Sequence, residues 1–150
     1  MTRLITFIVL LLPMVLGAPS KYKDCGSTKG RLIGIDVEPC ETSPCKLYRG
    51  EDAQLKVKFH VDEEVADGKV KVYGVFAGIP VPFPLDDDKV CHMVKPSCPL
   101  IPSVSEYTYL LKLPIREIYP PVKVNVKWTM EDKSSNLVLC ALMPLEIGDR

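Results

Sequence analysis

Most of the chain consists of short segments in which apolar and polar residues alternate with a period of two, as in strands with one buried face. This pattern covers residues 33–37, 53–61, 70–72, 107–113, 122–130 and 137–143. The phase breaks at Gly74, which predicts a β-bulge there. No segment shows a helical repeat of useful length. We therefore predict an all-β, immunoglobulin-like sandwich of about seven strands.

One segment departs from simple alternation because prolines occupy its polar positions: Ile79-Pro80-Val81-Pro82-Phe83-Pro84. Proline has no N–H to donate to a β-ladder, so this segment belongs at the edge of a sheet. Its apolar residues at every second position project to one side of an extended chain. Such a segment either caps the core or forms the lip of an apolar pocket. A second proline-flanked corner, residues 114–121, carries more apolar surface than a turn needs and would suit such a lip as a partner.

The first 17 residues have the features of a secretory signal peptide. Arg3 precedes an apolar run over residues 4–16, and the small residues Gly17 and Ala18 follow it. The run is too short to span a bilayer, so we predict cleavage after Gly17. Residues 18–150 then form one domain.

All six cysteines lie in this predicted domain: Cys25, Cys40, Cys45, Cys91, Cys98 and Cys140. An even number in an oxidising compartment predicts three disulfides, whereas the spacings do not match the tight pairs of a zinc site. The sequence alone does not choose among about 15 possible connectivities. The low cost of closing short loops favours Cys40–Cys45 and Cys91–Cys98, which leaves Cys25–Cys140.

The charge balance gives no sign of a nucleic-acid partner. Removing Arg3 from the 19 basic residues leaves 18, against 19 acidic ones, whereas nucleic-acid binders carry a basic excess or a basic face. Catalytic and metal motifs are also missing from the sequence. His60 and His92 are interpreted as surface side chains, and the acidic run Asp86-Asp87-Asp88 as a solvated turn. We therefore expect neither an enzyme, nor a metal site, nor a cofactor.

Several short motifs, taken together and in order, resemble the ML (lipid-recognition) family, including its arthropod members. The resemblance covers residues 24–147 and rests on Asp24-Cys25-Gly26-Ser27, Pro39-Cys40 with Pro44-Cys45, Val81-Pro82-Phe83-Pro84, Cys98-Pro99-Leu100, Tyr107-x-Tyr109 with Lys112-Leu113-Pro114, and Lys127-Trp128. It implies a sandwich whose two sheets hold one apolar ligand between them. It also implies the disulfide pairing that loop closure favours.

The resemblance further implies which residues form the binding site. Phe83, Ile115 and Tyr119 would lie at its mouth. The remaining side chains of the implied site would line the cavity: Val37, Leu47, Leu55, Val72, Val81, Tyr109, Leu113, Pro114, Val124, Val126 and Trp128. Ala141 occupies a position where sterol carriers of the family tend to have a large aromatic, so it would widen or reshape this cavity.

The expected function is therefore that of a secreted monomeric carrier of a sterol, fatty acid or other small hydrophobic ligand. Its partners would be a donor or acceptor membrane or another lipid-transfer protein. Neither asparagine lies in an N-glycosylation sequon, so delivery to the endolysosomal lumen would not use a phosphorylated N-glycan. Two alternatives stay open: a lipid-presenting partner of a receptor, as in the immune branch of the family, and a structural module with a filled core.

Overall fold

The computed structural model describes residues 20–150, so the predicted signal peptide and its cleavage site lie outside the described residues. In chain order the elements are β1 (Lys23–Asp24), β2 (Gly30–Glu38), β3 (Cys45–Tyr48), β4 (Asp52–Val61), β5 (Gly68–Phe76), β6 (Ile79–Phe83), the single-turn helix α1 (Val90–Met93), β7 (Val94–Lys95), β8 (Tyr107–Pro114), β9 (Val122–Asp132) and β10 (Leu137–Gly148).

These strands form two sheets packed face to face, which confirms the predicted all-β sandwich. One sheet has the order β1-β10-β9-β5-β6, with β3 added alongside β10, and the other has the order β2-β4-β8-β7. All strand pairs are antiparallel except β3 with β10, which run parallel. The core lies between the sheets, where the inward-facing residues of the long strands meet.

The predicted bulge at Gly74 is wrong, because β5 pairs with β9 in unbroken register through this residue. Gly74 has a packing role instead: a Cβ atom there would lie 3.1 Å from the ring of Phe76 and 3.5 Å from Val124. The register shifts elsewhere, between Leu32 and Gly34 in β2 and between Leu137 and Leu139 in β10.

The proline segment forms β6 at the edge of the larger sheet, as its composition predicts. It joins β5 through the two-residue turn Ala77-Gly78, in which both residues have positive φ (49° and 79°). Two positive φ angles define the type I′ turn, whose twist matches that of a hairpin. Its prolines are tolerated because a missing N–H can face away from the neighbouring strand.

Three disulfides join the predicted pairs: Cys25–Cys140, Cys40–Cys45 and Cys91–Cys98. The first ties the chain beside β1 to a buried residue near the start of β10, across a sequence separation of 115. The other two close short loops of separation 5 and 7. The expectation from loop closure is therefore confirmed.

Candidate functional site

An apolar cavity of about 270 Å³ opens at one end of the sandwich, between β6 and the corner that joins β8 to β9. Its lining contains no charged residue: Leu47, Val72, Tyr73, Gly74, Phe76, Val81, Pro82, Phe83, Pro84, Leu113, Ile115, Tyr119, Pro120, Val122, Val124, Val126, Leu145 and Ile147. A chamber of this composition offers a ligand apolar contact and almost no hydrogen bonding, so it suits a hydrocarbon better than a polar metabolite.

The cavity exists because short side chains face each other across the gap between the sheets. Stacked sheets lie about 10 Å apart. At this end β9 contributes Val122, Val124 and Val126 from one face, and β8 contributes Leu113 from the other. Aliphatic side chains of this length do not fill such a gap, so a space remains along the sandwich axis.

Two aromatic rings stand at the mouth. Phe83 at the end of β6 packs against Tyr119 in the β8–β9 corner, with ring centroids 5.2 Å apart and planes tilted by 52°. Both residues also line a groove of about 590 Å³ on the outer side of the mouth. The ring pair is therefore a shared wall between the inner cavity and the outer groove. If the two rings moved apart, the cavity and the groove would become one continuous space.

A second ring pair lies in the packed interior near Val126, outside the lining of the cavity. Trp128 follows Val126 on the same face of β9, and its ring packs against that of Tyr109 at a centroid distance of 5.5 Å. Both side chains are buried, and neither Tyr109 Oη nor Trp128 Nε1 has a hydrogen-bond partner within residues 20–150. Burial raises the pKa of the Tyr109 hydroxyl, with a smaller contribution from Asp87 and Asp88, so this group stays neutral.

Acidic side chains lie outside the cavity, in the outer groove. Asp86 and Asp87 contribute to its wall together with Arg116 and Lys112. His92 Nδ1 lies 2.6 Å from an Asp87 oxygen, and this hydrogen bond, with a second from the backbone of Lys89, lowers the pKa of Asp87. The mouth is thus apolar within and polar around its rim.

The structure brings together most of the residues that the family resemblance implies. Phe83 and Tyr119 form the ring pair at the mouth, Ile115 is a buried part of the lining, and the walls include Leu47, Val72, Val81, Leu113, Val124 and Val126. Five implied residues are not part of the lining: Val37, Leu55, Tyr109, Pro114 and Trp128.

Physical reasons separate these five from the cavity. Tyr109 and Trp128 fill the interior beside it with their own rings. Val37 and Leu55 pair in register and belong to the closed core. Pro114 is exposed, because alternation along β8 turns it outward when Leu113 faces inward.

Other wall residues were missed by sequence reasoning, and some of them left a signal. Leu145 and Ile147 continue the alternation of β10 beyond residue 143, where the predicted strand ended. Phe76 continues the alternation of β5, which the predicted bulge at Gly74 interrupted. Tyr73, Pro82 and Pro84 have no periodic signal. Ala141 lies opposite Trp128 in the packed core and does not line the cavity.

No metal or membrane-spanning element accompanies this site in the described part of the chain. Residues 20–150 contain no group of three or more histidine, cysteine, aspartate or glutamate side chains placed to hold a metal ion. They also contain no helix with the length and apolar character needed to cross a bilayer.

Comparison with known proteins identifies the family of the chain. Residues 19–147 match the ML domain. The chain is 39% identical over 129 residues to NPC intracellular cholesterol transporter 2 of Danio rerio, covering 86% of this chain and 85% of the relative. It is 36% identical over 148 residues to the protein of that name in Bos taurus, covering 97% and 98%.

A solved structure agrees with these sequence matches. The crystal structure of a Niemann-Pick type C2 protein from the Japanese carpenter ant superimposes with a TM-score of 0.76 at 26% identity, covering 85% of this chain and 99% of the ant chain. The protein belongs to the ML domain family, as the resemblance of its motifs predicts.

Proposed function

We propose that the protein is a secreted carrier that binds one apolar lipid in the cavity between its sheets and transfers it to a membrane or another lipid-transfer protein. The observation that carries this proposal is the uncharged chamber, with the Phe83–Tyr119 ring pair between it and the outer groove. Each 100 Å² of hydrocarbon surface moved into such a chamber contributes about 2.5 kcal/mol. No bond is made or broken, so the proposed activity is binding and transfer.

A sterol is the preferred ligand class. The fish and cattle relatives are named as cholesterol transporters, and their similarity extends over most of the chain. The cavity, at about 270 Å³, lies just below the roughly 300–1,000 Å³ of pockets that enclose drug-sized ligands. A sterol would therefore need the sheets or the mouth rings to move apart, which the single-neighbour position of β6 permits.

The same site residues are proposed to act in two groups. Phe83, Ile115 and Tyr119 would admit the ligand, and the aliphatic walls would enclose it. A structural module with a filled core is disfavoured because an apolar void of this size lowers stability unless something occupies it. The receptor-partner alternative gains no specific support from the described surface.

Secretion is part of the proposal. Residues 1–17 have the order of charge, apolar run and small residues that signal peptides share. Three disulfides favour an oxidising compartment. We expect the secreted chain to be a monomer that begins at Ala18.

Native mass spectrometry tests the binding. The secreted protein, stripped of lipid, is incubated separately with cholesterol and with oleate, and we expect a one-to-one adduct with cholesterol. Transfer is then measured between phosphatidylcholine vesicles, where the rate of cholesterol movement should rise with protein concentration. An adduct with oleate alone would reassign the protein to fatty-acid carriage. Failure to bind either lipid would contradict the proposal.

A further inference from the structure

One arginine connects the mouth of the cavity to Asp149, the residue that follows β10. Arg49 follows β3, and its Nη1 donates hydrogen bonds to the carbonyl oxygens of Glu117 and Tyr119, each at 3.2 Å. Its Nε and Nη2 donate to the two carboxylate oxygens of Asp149, at 2.8 and 2.7 Å. The guanidinium thus uses one side for the corner that carries Tyr119 and the other side for a bidentate pair with Asp149.

Backbone bonds fix the same corner to the same turn. The N–H of Gly50 donates to the Ile115 carbonyl at 2.6 Å, and the N–H of Ile115 donates to the Glu51 carbonyl at 2.9 Å. Gly50 has φ of 81°, and a Cβ atom there would lie 3.1 Å from Glu117 Oε1. The approach of the turn to the corner is therefore close, and the guanidinium of Arg49 is within hydrogen-bond distance of the Tyr119 carbonyl oxygen.

The facing side of the mouth is held in a different way. Phe83 lies on β6, whose ladder partner is β5 alone. An edge strand of this kind can shift without breaking the pairing of the rest of the sheet. The two rings at the mouth therefore differ in their attachment. The corner that carries Tyr119 bonds to the turn at residues 49–51 and, through Arg49, to Asp149, whereas Phe83 is held by the β5–β6 hairpin.

We propose that Arg49 is a positioning residue that holds Tyr119 in place, so that the mouth opens by movement of Phe83 and Arg49 sets the rate of ligand entry and exit. This inference rests on the proposed carrier function. The arrangement demands arginine, because a planar guanidinium can pair with a carboxylate through one edge and bind carbonyls through another, and a lysine ammonium cannot reproduce that fork. The hydrogen bond from Arg49 lowers the pKa of Asp149, so this carboxyl stays ionised and the pair stays charged.

The first test needs no ligand. Hydrogen exchange of residues 115–119 is measured in the wild type, Arg49→Gln and a matched control, Arg150→Gln. Arg150 pairs with Glu51 and lies 4.2 Å from the Tyr48 ring centroid, in the same neighbourhood but without a bond to the corner. We expect about tenfold faster exchange in Arg49→Gln, the change that losing a charge-assisted bond of about 1.4 kcal/mol gives. Equal exchange in the two variants would overturn the proposal.

The second test follows the fluorescent sterol dehydroergosterol into and out of the protein, with phosphatidylcholine vesicles as acceptor. Arg49→Gln should raise the association and release rates together, by about tenfold, and leave the equilibrium affinity within about twofold, as expected when a barrier alone is lowered. Arg49→Lys should fall between it and the wild type, because it restores charge without the fork. A purely structural role would lower the unfolding free energy and leave the release rate equal to that of Arg150→Gln, which would contradict the inference.

The two proposals fail separately. If wild-type protein binds no dehydroergosterol, sterol carriage is wrong, and the exchange of residues 115–119 still decides whether Arg49 holds the corner. If sterol binds, but Arg49→Gln has the same hydrogen exchange and the same sterol release rate as Arg150→Gln, the carrier function stands and the proposed role of Arg49 is wrong.

Discussion

The two ends of the sandwich are built on the same strands, but one end has a filled interior and the other encloses a cavity. At the end formed by Phe59, Tyr107, Met130 and Leu139, all four side chains are at most 1% exposed and the space between the sheets is filled. At the other end, the same β8, β9 and β10 enclose the cavity. We refer to these as the filled end and the cavity end.

Ring placement explains the difference. At the filled end aromatic residues lie between the sheets, with Phe59 stacked on Tyr107 at 5.6 Å. At the cavity end the inward positions of β9 carry valine, and the aromatic rings of the lining, Tyr73, Phe76, Phe83 and Tyr119, lie on β5, β6 and the β8–β9 corner. A sandwich can therefore form a chamber without a change of its backbone, when short side chains occupy inward positions on facing strands.

The largest expected effect comes from removing one phenylalanine ring at each end. Phe59→Ala should lower the free energy of unfolding by about 3–5 kcal/mol, because it leaves a void in packed core. Phe83→Ala should cost about 1 kcal/mol or less, because its ring borders space on two sides. Denaturant unfolding measures both. Equal losses would show that the two ends are packed alike.

Enlarging a buried side chain should also distinguish packed core from cavity, because an added ring has room only in the cavity. Val57→Phe forces a ring into fully buried core and should destabilise by about 1–3 kcal/mol. Val126→Phe places the same ring in the cavity, so stability should be kept or raised while cholesterol binding is lost. Calorimetric melting and native mass spectrometry measure the two effects. Wild-type cholesterol uptake by a folded Val126→Phe protein would show that the ligand lies elsewhere.

The smallest expected effect is electrostatic and belongs to the filled end. The Asp132 carboxylate accepts a hydrogen bond from Lys29 Nζ at 2.8 Å and others from Ser134 and Asn136, which lower its pKa from 3.8 to about 2. A carboxyl whose pKa is lower in the folded state stabilises the fold above its unfolded pKa and loses that contribution as the pH falls.

Asp132→Asn isolates this charge, because asparagine keeps an oxygen that can accept the backbone bonds. We expect wild type to be more stable than Asp132→Asn at pH 7, and the difference to disappear as the pH falls from about 4 to about 2. Denaturation midpoints at pH 7, 4 and 2 measure it. A difference that persists unchanged at pH 2 would assign the effect to shape instead of charge.

The sequence predicts the fold well because its strands carry period-two alternation and its cysteines have favourable short loops. Residues 53–61 show this directly: their alternation is reproduced in the burial of β4. The pairing of β3 with β10 was not predictable, since four residues carry too little pattern and parallel neighbours are distant in sequence.

The site is less predictable from sequence, because alternation indicates which residues face inward and does not indicate whether the space between them is filled. Leu55 and Leu113 have the same inward pattern on neighbouring strands, yet only Leu113 lines the cavity. Val126 and Trp128 likewise lie two residues apart on the same face of β9, yet only Val126 lines the cavity. The boundary between filled and hollow interior depends on where rings from both sheets meet, which is a property of three-dimensional register.

The position of Trp128 has a practical consequence for spectroscopy. It is the chain's single tryptophan, it is fully buried against Tyr109, and it lies two residues along β9 from Val126 of the cavity wall. Its indole should therefore emit at short wavelength in the native protein and shift to the red when water reaches it. A polyene lipid seated against Val126 would lie close enough to accept its excitation energy, so the molecule contains its own optical reporter of occupancy.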